Sequence, residues 1–233
     1  MPHPELWLVI PAAGIGQRMQ AECPKQYLKL HGRFVLDITL SRMLASVAFK
    51  GCMVPLSAQD RWWPDTESAR DDRVQTCNGG RERADSVLAA LVALEGQAAE
   101  DDWVLVHDAA RPCVSAADVA RLVDAALEHP VGGLLAAPVA DTLKQSDGTT
   151  PPAVEATVDR SRLWRALTPQ MFRFGDLRRA LVFCLEQGFS VTDESSAMEF
   201  SGKLPVLVEG RADNLKITVP SDLALAEFVL GRL

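Results

Sequence analysis

The chain begins with an apolar run at residues 6–10 that leads directly into a loop of small residues. Five consecutive apolar residues are typical of a strand that is buried on both faces of a parallel sheet. The loop reads Pro-Ala-Ala-Gly-Ile-Gly over residues 11–16, and side chains this small let backbone N–H groups approach a phosphate closely. Arg18 and Lys25 follow, and both cations could contact phosphate oxygens. Together they predict a site for a nucleoside triphosphate; a plain tight turn and a solvated pair of cations are the alternatives.

Strand-like runs alternate with helical patterns along the chain. Apolar residues recur at helical spacing over 36–47, 87–94 and 177–185. Further strand-like runs lie between them at 104–106 and 132–138. Ser115 and Ser221 each predict a helix N-terminus, because a serine side chain accepts a hydrogen bond from a free backbone N–H. Gly188 can end the helix that precedes it. The alternation predicts one α/β domain over residues 1–233, with a mostly parallel sheet and helices on both faces.

The segment over residues 139–160 breaks this alternation. It has no helical period, and it contains the turn pair Asp147-Gly148 and then two consecutive prolines. Residues 154–158 alternate between apolar and polar side chains, as in a strand. We predict a β-arm that projects from the sheet, with a disordered loop as the alternative.

The overall charge and the cysteines restrict the partners and the compartment. The 24 basic and 31 acidic side chains give a net charge of -7, which argues against nucleic acid or an anionic membrane as the main partner. The five cysteines are odd in number and include no Cys-x-x-Cys pair, so neither a disulfide framework nor a zinc site is expected. The sequence shows no signal peptide and no apolar stretch of membrane-spanning length, which predicts a cytoplasmic protein.

A charged motif follows the strand-like run at 104–106. It reads His-Asp-Ala-Ala-Arg-Pro over residues 107–112, at the strand end where α/β sheets bind ligands. The Asp108 carboxylate could hold Mg²⁺ against phosphates, or it could belong to a turn or a helix cap. His107 is expected to be packed in the interior, because nothing nearby suggests a nucleophile that it could activate.

Two further polar stretches are candidates for ligand contacts. Gly79 and Gly80 precede a helical pattern, where backbone groups could approach a base or a phosphate, or where the helix could merely begin. A polar turn over residues 209–216 contains Asp213, a possible second metal ligand, and ends at Lys216; an ordinary surface turn is the alternative.

Seven motifs in a fixed order give these pieces a common interpretation. They are Pro-Ala-Ala-Gly-x-Gly-x-Arg-Met, Pro-Lys-Gln-Tyr, Gly-Gly-x-Glu-Arg, His-Asp-Ala-Ala-Arg-Pro, Thr-Val-Asp-Arg, Leu-Thr-Pro-Gln and Ala-Asp-Asn-x-Lys. From residue 7 to the last helix, the chain resembles the 2-C-methyl-D-erythritol 4-phosphate cytidylyltransferase family of the non-mevalonate isoprenoid pathway, in its single-function form. The resemblance implies a Rossmann-like, three-layer nucleotidyltransferase fold. It also implies a reaction in which CTP and methylerythritol phosphate give the CDP-alcohol and pyrophosphate, with Mg²⁺ as cofactor.

The resemblance also implies roles for individual residues. Catalysis falls to four cations, which are Arg18, Lys25, Arg160 and Lys216. CTP is bound by residues of the first loop and of the two later motifs, which are Ala12, Ala13, Gly14, Gly16, Gly80, Ser86 and Ala109. The second substrate is held by Asp108, Arg111, Thr142, Arg160, Thr168 and Asp213, and the metal by Asp108 and Asp213. In the family the arm crosses to a second subunit, so a homodimer is expected through residues 139–160, with Arg160 serving the partner's site.

Some features depart from the family or leave other functions open. Arg81 stands beside the expected base pocket where relatives often carry a small or acidic residue, and Trp62 and Trp63 suggest packing or a loop anchor.

The nearest alternative is a sister cytidylyltransferase acting on ribitol 5-phosphate. An NAD(P)-dependent oxidoreductase would need a third glycine where the loop has Met19. A non-catalytic nucleotide-binding protein would not need so many cations and a carboxylate at one place.

Overall fold

The computed structural model describes residues 4–14 and 23–233. The strands in this part of the chain are β1 (Leu6–Val9), β2 (Lys29–Leu30), β3 (Arg33–Phe34), β4 (Gly51–Leu56), β5 (Val74–Asn78), β6 (Trp103–Val106), β7 (Gly132–Pro138), β8 (Leu143–Ser146), β9 (Val154–Val158), β10 (Trp164–Arg173) and β11 (Val206–Glu209). The α-helices are α1 (Val35–Ser46), α2 (Arg83–Ala93), α3 (Ala116–Glu128), α4 (Phe174–Gln187), α5 (Glu194–Phe200) and α6 (Ser221–Leu230). Within the described ranges, no helix is both long and apolar enough to span a membrane.

A seven-stranded sheet forms the centre of the fold, in the order β11-β7-β10-β6-β1-β4-β5. All neighbouring strands run parallel except β10, which is antiparallel to both β6 and β7. The first apolar run of the chain becomes β1, which pairs with β4 on one side and β6 on the other. The predicted α/β fold with a mostly parallel sheet is therefore confirmed.

Helices cover both faces of this sheet, because successive strand residues point to opposite sides. In β1, Leu8 packs in the cluster that contains α1 and α3, whereas Trp7 and Val9 pack in the cluster that contains α2, α4 and α5. All three of these β1 side chains are at most 4% exposed. The alternation in β1 thus explains why the strand reads as an unbroken apolar run and confirms the three-layer arrangement.

The helix ends test the capping predictions. The Ser115 hydroxyl accepts a hydrogen bond from the Asp118 N–H, so this predicted cap is confirmed. Gly188 ends α4 with a φ of 69°, a conformation that side chains with a Cβ rarely adopt. The prediction for Ser221 is wrong, because Pro220 occupies the N-cap position and the serine makes no capping bond. Asp222 accepts the Thr218 and Val219 N–H groups instead.

The β-arm predicted over residues 139–160 is present as a two-stranded antiparallel sheet of β8 and β9. Its tip turns at Gly148, with a φ of 76°, while the Asp147 carboxylate accepts the Thr149 and Ala153 N–H groups. Nearly all side chains of the two strands are exposed, and Val154 is 65% exposed. The arm is therefore built from local hydrogen bonds without an apolar core of its own.

Candidate active site

Two pockets open beside the carboxyl ends of β1 and β6, where α/β sheets bind ligands. The first, the loop pocket, is lined by residues 11–14, 25–26, 80–83, 86, 108–110 and 216. The second, the Thr168 pocket, is lined by residues 83, 108, 111, 166–168, 170, 192–193 and 216. Arg83, Asp108 and Lys216 line both pockets and so lie at the boundary between them.

The loop pocket collects the residues that the sequence predicts around a nucleotide. Those that the structure describes all line it, namely Ala12, Ala13, Gly14, Lys25, Gly80, Ser86 and Ala109. Gly16 and Arg18, which were predicted at the same place, lie outside the described residues. The contacts of these residues with a nucleotide stay a prediction, but their convergence in one pocket is what a common ligand requires.

Hydrogen bonds tie the first loop to its surroundings. The Gln26 side-chain amide donates to the Ala12 carbonyl at 2.6 Å and to the Gly14 carbonyl at 3.0 Å. The Lys25 ammonium donates to the carbonyl of Ile217 at 2.9 Å and lies on the pocket wall. Gln26 belongs to the Pro-Lys-Gln-Tyr motif and has no predicted role; the structure shows that its side chain holds the loop carbonyls.

Close packing explains the two glycines at the start of α2. A Cβ atom on Gly79 would approach the Ala13 Cβ to 2.5 Å, and one on Gly80 would approach the Asp85 Cβ to 2.2 Å. Side chains at either position would collide with these neighbours. The Ser86 hydroxyl accepts the Gly80 N–H at 3.1 Å and donates to the Glu82 carbonyl at 3.0 Å. The stretch is therefore a tightly built pocket wall as well as a helix entry.

Asp108 lies at the boundary of the two pockets, with its side chain only 8% exposed. Its Oδ1 accepts from Arg83 Nε at 2.9 Å, and its Oδ2 accepts from Arg111 Nε at 3.2 Å and from Lys216 Nζ at 3.0 Å. Burial alone would raise the pKa of Asp108, but the charges of Arg83, Lys216 and Arg111 outweigh burial and hold that pKa well below its ordinary value. Asp108 is consequently an anion at neutral pH.

His107 and Thr168 are locked beneath this carboxylate. The Thr168 hydroxyl accepts the Asp108 N–H at 3.1 Å and lies 2.9 Å from His107 Nδ1, while His107 Nε2 lies 3.1 Å from the Arg111 carbonyl. A carbonyl only accepts, so Nε2 carries the imidazole proton and Nδ1 accepts from Thr168. Burial lowers the pKa of His107 to about 4. His107 is thus a packed neutral side chain, as predicted.

Arg83 and Glu194, which have no predicted role, complete the charged cluster. Arg83 donates through Nη1 and Nη2 to the two Glu194 oxygens at 2.6 and 3.1 Å, while its Nε donates to Asp108. The Glu194 side chain is 1% exposed. Burial opposes the charge of Arg83, but Glu194 and Asp108 outweigh it and raise the pKa of that guanidinium. Arg83 belongs to the Gly-Gly-x-Glu-Arg motif, whereas Glu194 is 111 positions away and has no local signal in the sequence.

Three other predicted residues lie outside both pockets. Thr142 and Arg160 are exposed at the base of the β-arm. The Asp213 carboxylate binds the neighbouring Arg211 guanidinium, with Oδ1 2.9 Å from Nε, and is not part of either pocket lining. The structure therefore brings Asp108, Arg111, Thr168 and Lys216 together but does not place these three beside them.

The acidic residues bear on the predicted Mg²⁺. Among the described residues, no group of three or more His, Cys, Asp or Glu side chains could by itself hold a metal ion. Asp108 alone offers a buried carboxylate at the pocket boundary, and Mg²⁺ is commonly bound through one or two carboxylates together with substrate phosphates and water. The donor set therefore fits Mg²⁺ that arrives with a polyphosphate ligand.

Trp62 and Trp63 are partly buried and pack against the apolar cluster that contains α1 and α3. Trp62 stacks on Tyr27 with ring centroids 5.6 Å apart, and the Tyr27 hydroxyl donates to Asp60 at 2.7 Å. The Asp60 carboxylate in turn accepts the N–H groups of both tryptophans. The expectation of packing and a loop anchor is confirmed.

Comparisons with known proteins agree on one family. Residues 6–232 match the family model described as 2-C-methyl-D-erythritol 4-phosphate cytidylyltransferase. A protein of that name from Pseudomonas putida (strain W619) is 54% identical over 221 residues, which cover 94% of this chain and 93% of the relative. A solved structure of 4-diphosphocytidyl-2C-methyl-D-erythritol synthase has a TM-score of 0.84 at 38% identity, covering 99% of this chain and 100% of that one. The Francisella tularensis cytidylyltransferase structure has a TM-score of 0.84 at 37% identity, covering 97% and 99%.

Proposed function

Because this chain belongs to the 2-C-methyl-D-erythritol 4-phosphate cytidylyltransferase family, we propose that it transfers the cytidylyl group of CTP to 2-C-methyl-D-erythritol 4-phosphate. The observation that carries the proposal is the pair of adjoining pockets that share Asp108 and Lys216. One pocket has the small-residue loop and Lys25, as a triphosphate needs, and the other has Arg111 and Thr168 for a second substrate. Family membership does not favour ribitol 5-phosphate as the acceptor.

The reaction joins two anions. A phosphate oxygen of the acceptor attacks the α-phosphorus of CTP and forms the new P–O bond. The bond from that phosphorus to the β-phosphate oxygen breaks, and its electron pair leaves with pyrophosphate. Two unit charges 4 Å apart repel by about 4 kcal/mol at a protein-surface dielectric, so fixed cations lower the cost of approach. Lys25 beside the loop and Lys216 at the pocket boundary supply such charges, together with Arg18 in the proposal.

The base and ribose of CTP are assigned to the far side of the loop pocket. Gly80, Ser86 and Ala109 line the pocket there, so the Gly80 backbone lies on the wall that the base would contact. Arg81 lies on the same wall and is exposed. A guanidinium only donates hydrogen bonds, so it could contact a base carbonyl that cytosine and uracil share. UTP is therefore the nucleotide to compare with CTP.

Mg²⁺ would be held by Asp108 together with phosphate oxygens of CTP. When bound, it neutralises charge on the phosphates and on the departing pyrophosphate. Asp213 is the second candidate ligand from the sequence, although its carboxylate binds Arg211 here. The cations around Asp108 keep this carboxylate ionised, and the metal would replace one of their contacts with it.

The β-arm is proposed to build a homodimer and to bring Arg160 and Thr142 to the partner's site. Both residues are exposed on the arm and lie outside the two pockets of their own chain. An arm without an apolar core gains stability when a second copy covers it. The cysteines in the described part of the chain form no disulfide, which is in keeping with a reducing cytoplasm, where we place the reaction.

Pyrophosphate release tests the proposed function directly. The purified protein is given Mg²⁺, CTP and either methylerythritol phosphate or ribitol 5-phosphate. The assay with methylerythritol phosphate is then repeated with UTP and with ATP in place of CTP. We expect release with CTP and methylerythritol phosphate only. Release with the ribitol substrate would move the protein to the sister activity, and no release with any pair would leave a nucleotide-binding protein.

A further inference from the structure

Arg83 is the side chain through which three elements of the fold meet at the pocket boundary. It is the first residue of α2, whose start is fixed by reciprocal bonds between Glu82 and Asp85. Its guanidinium reaches Asp108 after β6 and Glu194 at the first position of α5. The same guanidinium lines both pockets.

Glu194 is itself held in place from the sheet. The Gln170 side chain on β10 accepts the Ser195 N–H at 2.8 Å and donates to the Asp193 carboxylate at 2.8 Å. Asp193 also caps α5 by accepting the Ser196 N–H. These bonds fix the first turn of α5, so the buried Glu194 carboxylate has a defined position opposite Arg83.

A buried ion pair of this kind is a poor device for stability alone. Removing charges from water costs several kcal/mol for each ion, and buried pairs can often be replaced by apolar side chains without loss of stability. The planar guanidinium fork, by contrast, fixes geometry, because its donors lie in one rigid plane. With two donors on Glu194, the third is aimed at Asp108.

We propose that Arg83, oriented by Glu194, is a positioning residue that fixes the Asp108 carboxylate between the two pockets for cytidylyl transfer. This inference rests on the proposed function. Lysine at position 83 would keep the positive charge, but one ammonium cannot reproduce the planar fork that joins the two carboxylates. Glutamine at position 194 would keep the shape of the side chain and remove the charge that orients Arg83.

The test compares Arg83→Lys and Glu194→Gln with the wild type, and with Arg179→Lys and Glu100→Gln as matched controls. Arg179 and Glu100 form an ion pair 2.5 Å long that is exposed and outside both pockets. We expect both site variants to lower kcat about tenfold or more, as for misplaced catalytic groups, with the KM for CTP within about threefold. The controls should keep wild-type kinetics.

Thermal unfolding of each variant separates positioning from folding. Should the single variants not fold, the double substitution Arg83→Met with Glu194→Leu removes the pair without leaving one buried charge alone. We expect this protein to fold and to retain the low kcat. Wild-type kcat in Arg83→Lys, in Glu194→Gln or in the folded double variant would overturn the inference and leave the proposed function standing. A wild type that transfers no cytidylyl group would overturn both.

Discussion

Around Asp108, charged side chains are buried or half-buried and hold one another in place, whereas in the β-arm polar side chains are exposed and bond mainly to near neighbours. The first region gathers residues from several elements, including Arg83 and Glu194, which are 111 positions apart. In the second, Asp147 bonds residues no more than six positions away. The charged cluster around Asp108 is thus assembled within one chain, whereas the arm has no apolar core of its own.

This contrast leads to separate expectations for the two regions. Substitutions at the pocket should change chemistry or stability in a single chain, because each buried charge has fixed partners. Substitutions on the arm should act through whatever covers it. Each of the following measurements tests one side of this comparison, in order of decreasing effect.

The largest effect is expected from Lys25→Ala in the loop pocket. Without Lys25, the negative charge that develops on the phosphates during transfer lacks a fixed cation beside it. The value of kcat should therefore fall about 10²-fold or more, as for loss of a transition-state donor. Steady-state pyrophosphate release measures it, with Lys50→Ala as the control because Lys50 forms an exposed pair with Glu5. Near-normal turnover of Lys25→Ala would remove this lysine from the catalytic machinery.

The pH dependence of stability should report the buried imidazole. The pKa of His107 is about 4 in the folded protein against 6.5 for the ordinary side chain, so the unfolded chain binds more protons between these values. The contribution of His107 to the free energy of unfolding is fully present above the pKa of the unfolded chain. It is lost as the pH falls from that pKa to the folded one, by about 3 kcal/mol from His107 alone.

Denaturant unfolding without divalent cations, at about pH 7 and about pH 4, measures this loss. His107→Asn should be less stable than the wild type at neutral pH, because its bonds to Thr168 and Arg111 are altered. It should nevertheless show a smaller drop in the free energy of unfolding on acidification. An equal drop in both proteins would mean that other groups, such as Asp108, carry the pH dependence.

The metal requirement should distinguish the two predicted ligands. Asp108→Asn removes the carboxylate at the pocket boundary and should raise the Mg²⁺ concentration for half-maximal rate at least about tenfold. Asp213→Asn, which removes a carboxylate already bound to Arg211, should have the smaller effect. A larger shift for Asp213→Asn would place the metal on the 209–216 turn, and an unchanged Mg²⁺ requirement in Asp108→Asn would contradict its assignment as a ligand.

The smallest signal is expected from the arm, where the experiment asks whether Arg160 acts in its own chain or in a partner's site. Arg160→Ala and Lys25→Ala subunits should each be nearly inactive alone. In an equal mixture that exchanges subunits, about a quarter of all sites would combine both native residues if a twofold dimer forms. Recovery of activity would show that the arm completes a partner's site; no recovery, despite subunit exchange seen with labelled chains, would mean that Arg160 acts within its own chain.

Much of the fold could be predicted because local patterns carry it. The run at 6–10 contains β1, and the β-arm turns at Asp147 and Gly148. Ser115 caps the start of α3 and Gly188 ends α4, as expected. Ser221 failed because two N–H donors before the helix are satisfied by Asp222, a choice between adjacent side chains that spacing does not reveal.

The loop pocket was predictable for the same reason. Small residues at 12–14 and at 79–80 mark places where the backbone must come close to something, and packing against Ala13 and Asp85 shows how little room there is. The motif at 107–112 follows a strand, so its place at the sheet edge could be deduced from topology alone. Its neighbours across the pocket could not.

Local sequence is enough to predict where strands, turns and glycine-bearing loops lie, because backbone periodicity and sterics act over a few residues. The partners of long charged side chains emerge only when the whole chain has packed. Arg83 forms ion pairs with Glu194 and Asp108, whereas Asp213 pairs with Arg211 and does not line the pockets. Such pairings depend on which charges burial brings within about 3 Å of each other, and the nearest charge in space can be far along the chain.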